Sequence, residues 1–146
     1  MDERSIDIDA PPDRVYDLVA DISQMGRWSP ETYRAEWRRG ASGPATGATF
    51  RGWNKRGPLR WFTDCQVEQA EPGRAFAFRV KGTGARWGYR LETSHGGTRL
   101  TETRDLSGSP AVGQFLNRLM RQDDSLRQGM EQTLQRIKAA AESEST

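Results

Sequence analysis

Glu102 and Arg104 stand two residues apart in the run Thr98-Arg99-Leu100-Thr101-Glu102-Thr103-Arg104-Asp105-Leu106. A β-strand turns successive side chains to opposite faces, so this spacing puts the carboxyl and the guanidinium on one face. Thr98, Leu100 and Leu106 share that row. If the row turns inward, both charges are buried and must pair with each other or with a ligand. A carboxyl in an apolar site has a raised pKa and can serve as general acid or base, and a guanidinium beside it can hold an enolate or a carboxylate. Such a pair suits an aldol-type cyclisation or a dehydration. Two plainer readings stay open. One is a satisfied ion pair at the end of a barrel. The other is a one-residue slip of register, which exposes both charges and turns Thr101 and Thr103 inward.

Other reactive side chains are few. Cys65 is the single cysteine and His95 the single histidine, so no internal disulfide, His-based metal cluster or Cys/His nucleophile arrangement is expected, and no metal or cofactor is assigned. Cys65 lies in a strand pattern, where a thiol packs as a small hydrophobe, and His95 lies in the turn Ser94-His95-Gly96-Gly97. Tyr16 and Tyr89 are potential hydrogen-bond donors that also suit a core with a wet hydroxyl. Gly82-Thr83-Gly84 reads as a hairpin turn, because the strand–loop–helix context of a phosphate loop is missing around it.

The elements that position these groups follow from periodicity. Residues 4–9 alternate, with Ile6 and Ile8 on one face, and Ala10-Pro11-Pro12 ends that strand. Val15, Tyr16, Leu18 and Val19 recur at helical spacing behind Asp13, and residues 22–26 form a second short helix with Gly26 as its C-cap. From Glu31 the period changes to two. Six strands follow, broken by turn clusters such as Lys55-Arg56-Gly57-Pro58, Glu71-Pro72-Gly73-Arg74 and His95-Gly96-Gly97. In the strand around 48–54, Phe50 and Trp53 point to opposite faces and leave its register open. Residues 112–141 then carry an apolar stripe at helical spacing, through Leu116, Leu119, Leu126, Met130, Leu134, Ile137 and Ala141. Short turns between strands imply an antiparallel sheet, and a long amphipathic helix after it must bury its stripe there.

The chain has 146 residues, 34% apolar and 29% charged, with five Trp, five Phe and three Tyr. That length suits one domain, expected over 1–141, with 142–146 as a frayed tail. No run approaches the ~18 apolar residues of a membrane span and no signal-peptide core follows Met1, so a cytoplasmic protein without integral membrane association is expected. The net charge of +2 rests on Arg rather than Lys. Because these Arg alternate with apolar residues and Asp and Glu nearly balance them, they read as a solvated outer sheet face rather than a nucleic-acid surface.

The ordered set of motifs resembles the START/Bet v 1-like (SRPBCC) superfamily, and within it the polyketide cyclase/dehydrase-like family. The likeness rests on Ile6-x-Ile8 before Ala10-Pro11-Pro12-x-x-Val15-Tyr16-x-Leu18-Val19-x-Asp21, on Trp28-Ser29-Pro30, and on Glu71-Pro72-Gly73-Arg74. It also rests on Gly96-Gly97-Thr98-Arg99-Leu100-Thr101 and on Met130-x-x-Thr133-Leu134-x-x-Ile137-Lys138, and so spans nearly the whole chain. The resemblance implies the helix-grip fold: an α+β domain in which a curved seven-stranded antiparallel sheet wraps a long C-terminal helix, with a cavity between them and two short helices after strand 1. It does not imply one activity.

On that basis the chain is expected to bind a hydrophobic small molecule (a lipid, a quinone or a polyketide-like aromatic) as a monomer or homodimer. The expected wall comprises Tyr33, Trp37, Trp61, Phe76, Phe78, Trp87, Tyr89, Leu126, Met130 and Leu134, mostly apolar as pockets for such ligands are. The competing expectation is that these side chains fill the core outright. The alternative function is a cyclase or dehydratase that uses Glu102 and Arg104. Residues 107–122 depart from the family pattern. They read either as a separate helical piece that lids the cavity, with Asp123 or Asp124 capping the helix beyond, or as part of one bent helix.

Overall fold

The computed structural model describes residues 2–106 and 123–143, the side chains of 123–127 excepted. Alternating rows become seven strands: β1 (Asp2–Ile8), β2 (Thr32–Arg38), β3 (Thr49–Arg56), β4 (Leu59–Glu71), β5 (Ala75–Val80), β6 (Arg86–Ser94) and β7 (Gly97–Asp105). They form one sheet in the order β1-β7-β6-β5-β4-β3-β2, every neighbour antiparallel. Its turns carry the residues that their geometry demands. His95 and Gly96 both have positive φ, the signature of a two-residue hairpin turn that matches strand twist, and Gly57 supplies a positive φ ahead of Pro58 between β3 and β4.

Between β1 and β2 lie α1 (Pro12–Val19), a 3-10 turn (Ile22–Gln24) and α2 (Met25–Trp28). Pro12 in the first turn needs no N–H partner there, and Val15, Tyr16, Leu18 and Val19 are buried on one face. Asp21 starts the 3-10 turn by accepting the Ser23 N–H at 3.1 Å. Gly26 is not the C-cap expected of it, because the helix continues to Trp28. A Cβ there would lie 2.5 Å from the Tyr33 carbonyl oxygen, so glycine serves the close passage of β2.

The last helix, α3, is described over Asp123–Ser143. Met130, Leu134, Ile137 and Ala141 are its buried stripe. The helix packs on β1 and on β7, α1 and α2. Hydrogen bonds to the rest of the protein fasten it. Lys138 Nζ donates to Asp7 O at 2.8 Å, Arg14 Nε to Ala141 O at 3.1 Å, Asp9 N to Glu142 Oε2 at 2.8 Å and Arg136 Nη1 to Trp28 O at 3.3 Å. The helix thus runs through Glu142 and Ser143, two residues into the stretch expected to fray, because Glu142 is held at both Asp9 and Lys138. The expected lid over 107–122 and the caps at Asp123 or Asp124 lie outside the described residues.

This is an α+β helix-grip architecture, with a curved antiparallel sheet and a C-terminal helix in its concave face. Along that face Trp37, Phe50, Phe78 and Phe76 form a continuous line of rings, with successive centroids 5.8, 5.0 and 6.1 Å apart.

Candidate functional site

Register decides what faces the helix. Strand pairing aligns Glu102 with Tyr89, Leu100 with Leu91 and Arg104 with Trp87, and on the other side Glu102 with Arg4 and Arg104 with Asp2. The whole row Thr98, Leu100, Glu102 and Arg104 is buried. In β3 the inward row is Phe50, Gly52 and Asn54. The ambiguity at Trp53 is resolved by its outward position, where Arg34 and Arg38 lie over its ring at 4.7 and 5.3 Å.

A cavity of about 190 Å³ opens between this face and α3. Its sheet wall includes Phe50, Gly52, Cys65, Phe78, Trp87 and Tyr89; its helix wall is Gly129, Met130 and Thr133; the buried Trp28 closes it inside, and the solvent-accessible Pro30, Glu31 and Trp61 stand at its mouth. Gly129, whose cost to a helix is about 1 kcal/mol against Ala, lets α3 pass the Trp28-Ser29-Pro30 turn, since a Cβ would lie 3.3 Å from Pro30 Cγ. Gly52 leaves room on the opposite wall, where a Cβ would be in ordinary contact with Thr63 Oγ1 at 3.4 Å.

Two polar features face this space. On β6 and β7, Tyr89 stands directly across from Glu102, its phenol beside the carboxyl. Glu102 is 4% exposed, and its Oε1 has no hydrogen-bond partner. Burial, set only partly against the Tyr89 hydrogen bond, pushes the Glu102 pKa up to about 8, so the group carries its proton at neutral pH. Burial, then the neighbouring Glu102, raises the Tyr89 phenol well above its usual value. On β2–β4, Thr32 Oγ1 donates to Asn54 Oδ1 at 2.6 Å and Asn54 Nδ2 donates to Thr63 Oγ1 at 3.3 Å. Cys65 sits beyond Thr63, with its thiol pushed by burial up to about 12 and therefore protonated. At the rim, burial raises Glu31, against the opposing charge of Arg56.

The expected wall residues separate into groups. Trp61, Phe78, Trp87, Tyr89 and Met130 line the cavity, as does Glu102. Phe76 and Leu134 are solid core, and Trp37 packs its edge on Phe50 rather than lining the space. Tyr33 falls at a bulge in β2, where the pairing shifts between Thr32 and Arg34, and this turns it to solvent beneath Lys55 Nζ. The Leu126 side chain lies outside the described residues. Arg104 does not line the cavity but forms an ion pair with Asp2 of β1. Glu102 and Arg104 therefore share a face without forming a pair: Arg104 turns to Asp2 on β1, while Glu102 lies beside Tyr89 on β6. Arg4, directly across from Glu102, reaches away to Glu131 at 3.2 Å. Asn54, Gly52, Thr133 and the Trp28–Pro30 turn were missed as wall residues. The period-two row Phe50-x-Gly52-x-Asn54 carried a signal for the first two, but the others are placed only by the packing of α2 and α3.

Among the described residues, no group of three His, Cys, Asp or Glu is placed to hold a metal ion, and no helix is long and apolar enough to cross a membrane.

A helix-grip sheet with a partly apolar chamber and one buried acid defines a cavity protein of the START/Bet v 1-like class. The chain belongs to the family described as polyketide cyclase / dehydrase and lipid transport, which it matches over residues 3–142. It is similar to the polyketide cyclase-like protein Cgl2372 of Corynebacterium glutamicum, with 32% identity over 94% of this chain and 88% of that one, at a TM-score of 0.61. Its fold is also that of DynU16, a putative protein of the dynemicin biosynthetic locus (22% identity, 94% of this chain and 45% of that one, TM-score 0.64). The same holds for the di-domain ARO/CYC StfQ of the steffimycin biosynthetic pathway (13% identity, 97% and 44%, TM-score 0.69). The chain spans about half the length of these last two. No curated protein matches it.

Proposed function

We propose that this protein binds a compact, largely apolar small molecule that bears a carbonyl or similar acceptor, and that the neutral Glu102 carboxyl donates a hydrogen bond to it. The observation that carries this reading is the buried Glu102, whose Oε1 has no hydrogen-bond partner, on the wall of an otherwise mainly apolar cavity beside Tyr89. A buried polar group left unmet costs about 1–3 kcal/mol, and a ligand acceptor at this position relieves that cost. The volume of about 190 Å³ lies below the ~300–1,000 Å³ of pockets that enclose drug-sized ligands. It therefore favours a ring system such as a quinone or a polyketide-like aromatic over a whole lipid.

Quenching of tryptophan fluorescence tests this, because Trp28, Trp61 and Trp87 all line the space. Hydroxylated naphthoquinones and a long-chain fatty acid serve as probes. Binding of the quinones, weakened by Glu102→Leu, which removes the donor, and weakened in the wild type above pH 8, is the expected result. If none of the probes quenches the wild type, and native mass spectrometry of the purified protein finds no retained small molecule, the reading fails.

A second reading, cyclase or dehydratase, is favoured by the same proton. In an aldol-type closure the carbon of a ligand enol bonds to a carbonyl carbon, the carbonyl oxygen takes the Glu102 proton to become a hydroxyl, and the enol O–H proton passes to the Glu102 carboxylate as the enol becomes a ketone. Arg104 supports this chemistry less, since Asp2 engages it away from the cavity wall. Turnover of a polyketide-like substrate that is abolished by Glu102→Gln but survives Arg104→Met is the expected pattern.

A further inference from the structure

Large apolar side chains that are exposed gather at one corner. Among the described residues these are Leu59 at 55% exposure, Phe62 at 54%, Tyr33 at 44% and Trp61 at 37%. Leu59, Trp61 and Phe62 lie at the start of β4, just after the tight Gly57-Pro58 hairpin, and Tyr33 lies beside the base of that hairpin under Lys55. Lys55, Arg56 and Arg60 flank them, and no acidic residue occurs between Lys55 and Phe62. Arg56 reaches Glu31 at 3.6 Å, while Arg60 bonds only backbone carbonyls of its own turn, at 3.0 and 3.2 Å. The three cations also border an open vestibule of about 960 Å³ that adjoins the cavity mouth at Pro30, Glu31 and Gly129.

We propose that this β3–β4 hairpin is a docking tip for the surface of an anionic lipid bilayer. Successive β4 side chains alternate faces, so Leu59 and Trp61 project on one side of the ribbon and Phe62 on the other. A protein partner covers one side of such a tip. A headgroup layer surrounds both, taking the apolar side chains below the phosphates and leaving the Lys and Arg ends among them. The cations supply charge complementarity to anionic headgroups, and each basic residue near such a surface strengthens binding about fivefold. Trp61 belongs both to the tip and to the cavity mouth, so a docked tip sets the entrance against the phase in which a hydrophobic ligand dissolves. The docking does not depend on the cavity holding a ligand, and the two are measured separately.

The test is co-sedimentation of the whole protein with vesicles of phosphatidylcholine, with and without phosphatidylglycerol, at low and high salt. Expected are partition onto the phosphatidylglycerol vesicles, loss at high salt, and quenching of tryptophan fluorescence by brominated acyl chains. Lys55→Ala with Arg60→Ala weakens partition about 25-fold, and Leu59→Ser weakens it about tenfold. Arg99→Ala, whose charge is paired with Asp7 on the far side of the sheet, leaves it unchanged. Absence of partition onto either vesicle overturns the proposal and assigns the corner to an acidic protein face or a second copy of the chain. Partition that survives both the charge removal and Leu59→Ser overturns it equally. Lipid-borne quenching is read on the wild type, so a variant that fails to fold does not remove the test.

Discussion

The two halves of the concave face belong to one antiparallel sheet and carry the same kinds of side chain, yet one is solid and the other hollow. Toward β1 and β7, α3 lies directly on the sheet, and Val15, Phe76, Leu100, Ile137 and Ala141 are sealed from solvent. Toward β3 and β4 the helix stands off. Gly52 and Gly129 contribute no side chain, Asn54 and Thr63 spend their polar atoms on each other, and a cavity remains. Hydrophobicity alone does not separate core from site, because the difference lies in how far the helix is held from the strands. Three of the fastenings of α3, at Asp7, Asp9 and Arg14, gather at its far end and hold that half down, while toward the cavity it is tied at Trp28 and Arg4.

The sharpest contrast is a truncation in the solid half. Ile137→Ala is expected to cost about 2–5 kcal/mol in urea denaturation, because a sealed site cannot collapse fully around the lost methyls. Met130→Ala, at a wall that already borders empty space, is expected to cost less, and equal costs would erase the distinction. Next in size is the pH dependence from Glu102. Its folded pKa of about 8 lies above the ordinary value of 4.5, so the folded state holds a proton that the unfolded chain releases. Its contribution to stability is therefore complete below pH 4.5 and is lost as the pH rises to 8, by a few kcal/mol. Glu102→Gln flattens that slope, as thermal unfolding across the window would reveal.

Asn54→Ala removes the centre of the Thr32–Asn54–Thr63 chain and is expected to cost about 1–2 kcal/mol, read from the same denaturation curves. The smallest effect on stability, within about 1 kcal/mol, is expected from Gly52→Val, which adds side chain to the hollow half. The same variant should abolish quinone quenching, and retained quenching would place the ligand elsewhere. That separation of stability from binding is the mark of a cavity wall, in contrast to a core position.

Much of this architecture is legible in the residues themselves. Alternation over 98–106, bounded by the turn at His95-Gly96, is enough to set Glu102 and Arg104 on a common row with Leu100, and the turn clusters delimit the strands. Trp61, Phe78, Trp87, Tyr89 and Met130 are likewise visible as inward rows. Tyr33 is not legible, because a bulge between Thr32 and Arg34 breaks the alternation on which its placement depends. Gly26 looks like a cap in the sequence because the approach of Tyr33 to it is a contact between separate elements.

What the chain alone determined is which side chains share a row wherever the alternation runs unbroken, since pleat and helical period are properties of neighbouring residues. What only the tertiary structure decided is which partner each buried charge meets and whether space is left beside it. Arg104 finds Asp2, 102 residues away, and Glu102 finds Tyr89 on the strand at its other side. Strand order, not spacing, makes those pairs, and the stand-off of one helix from half of a sheet makes the cavity.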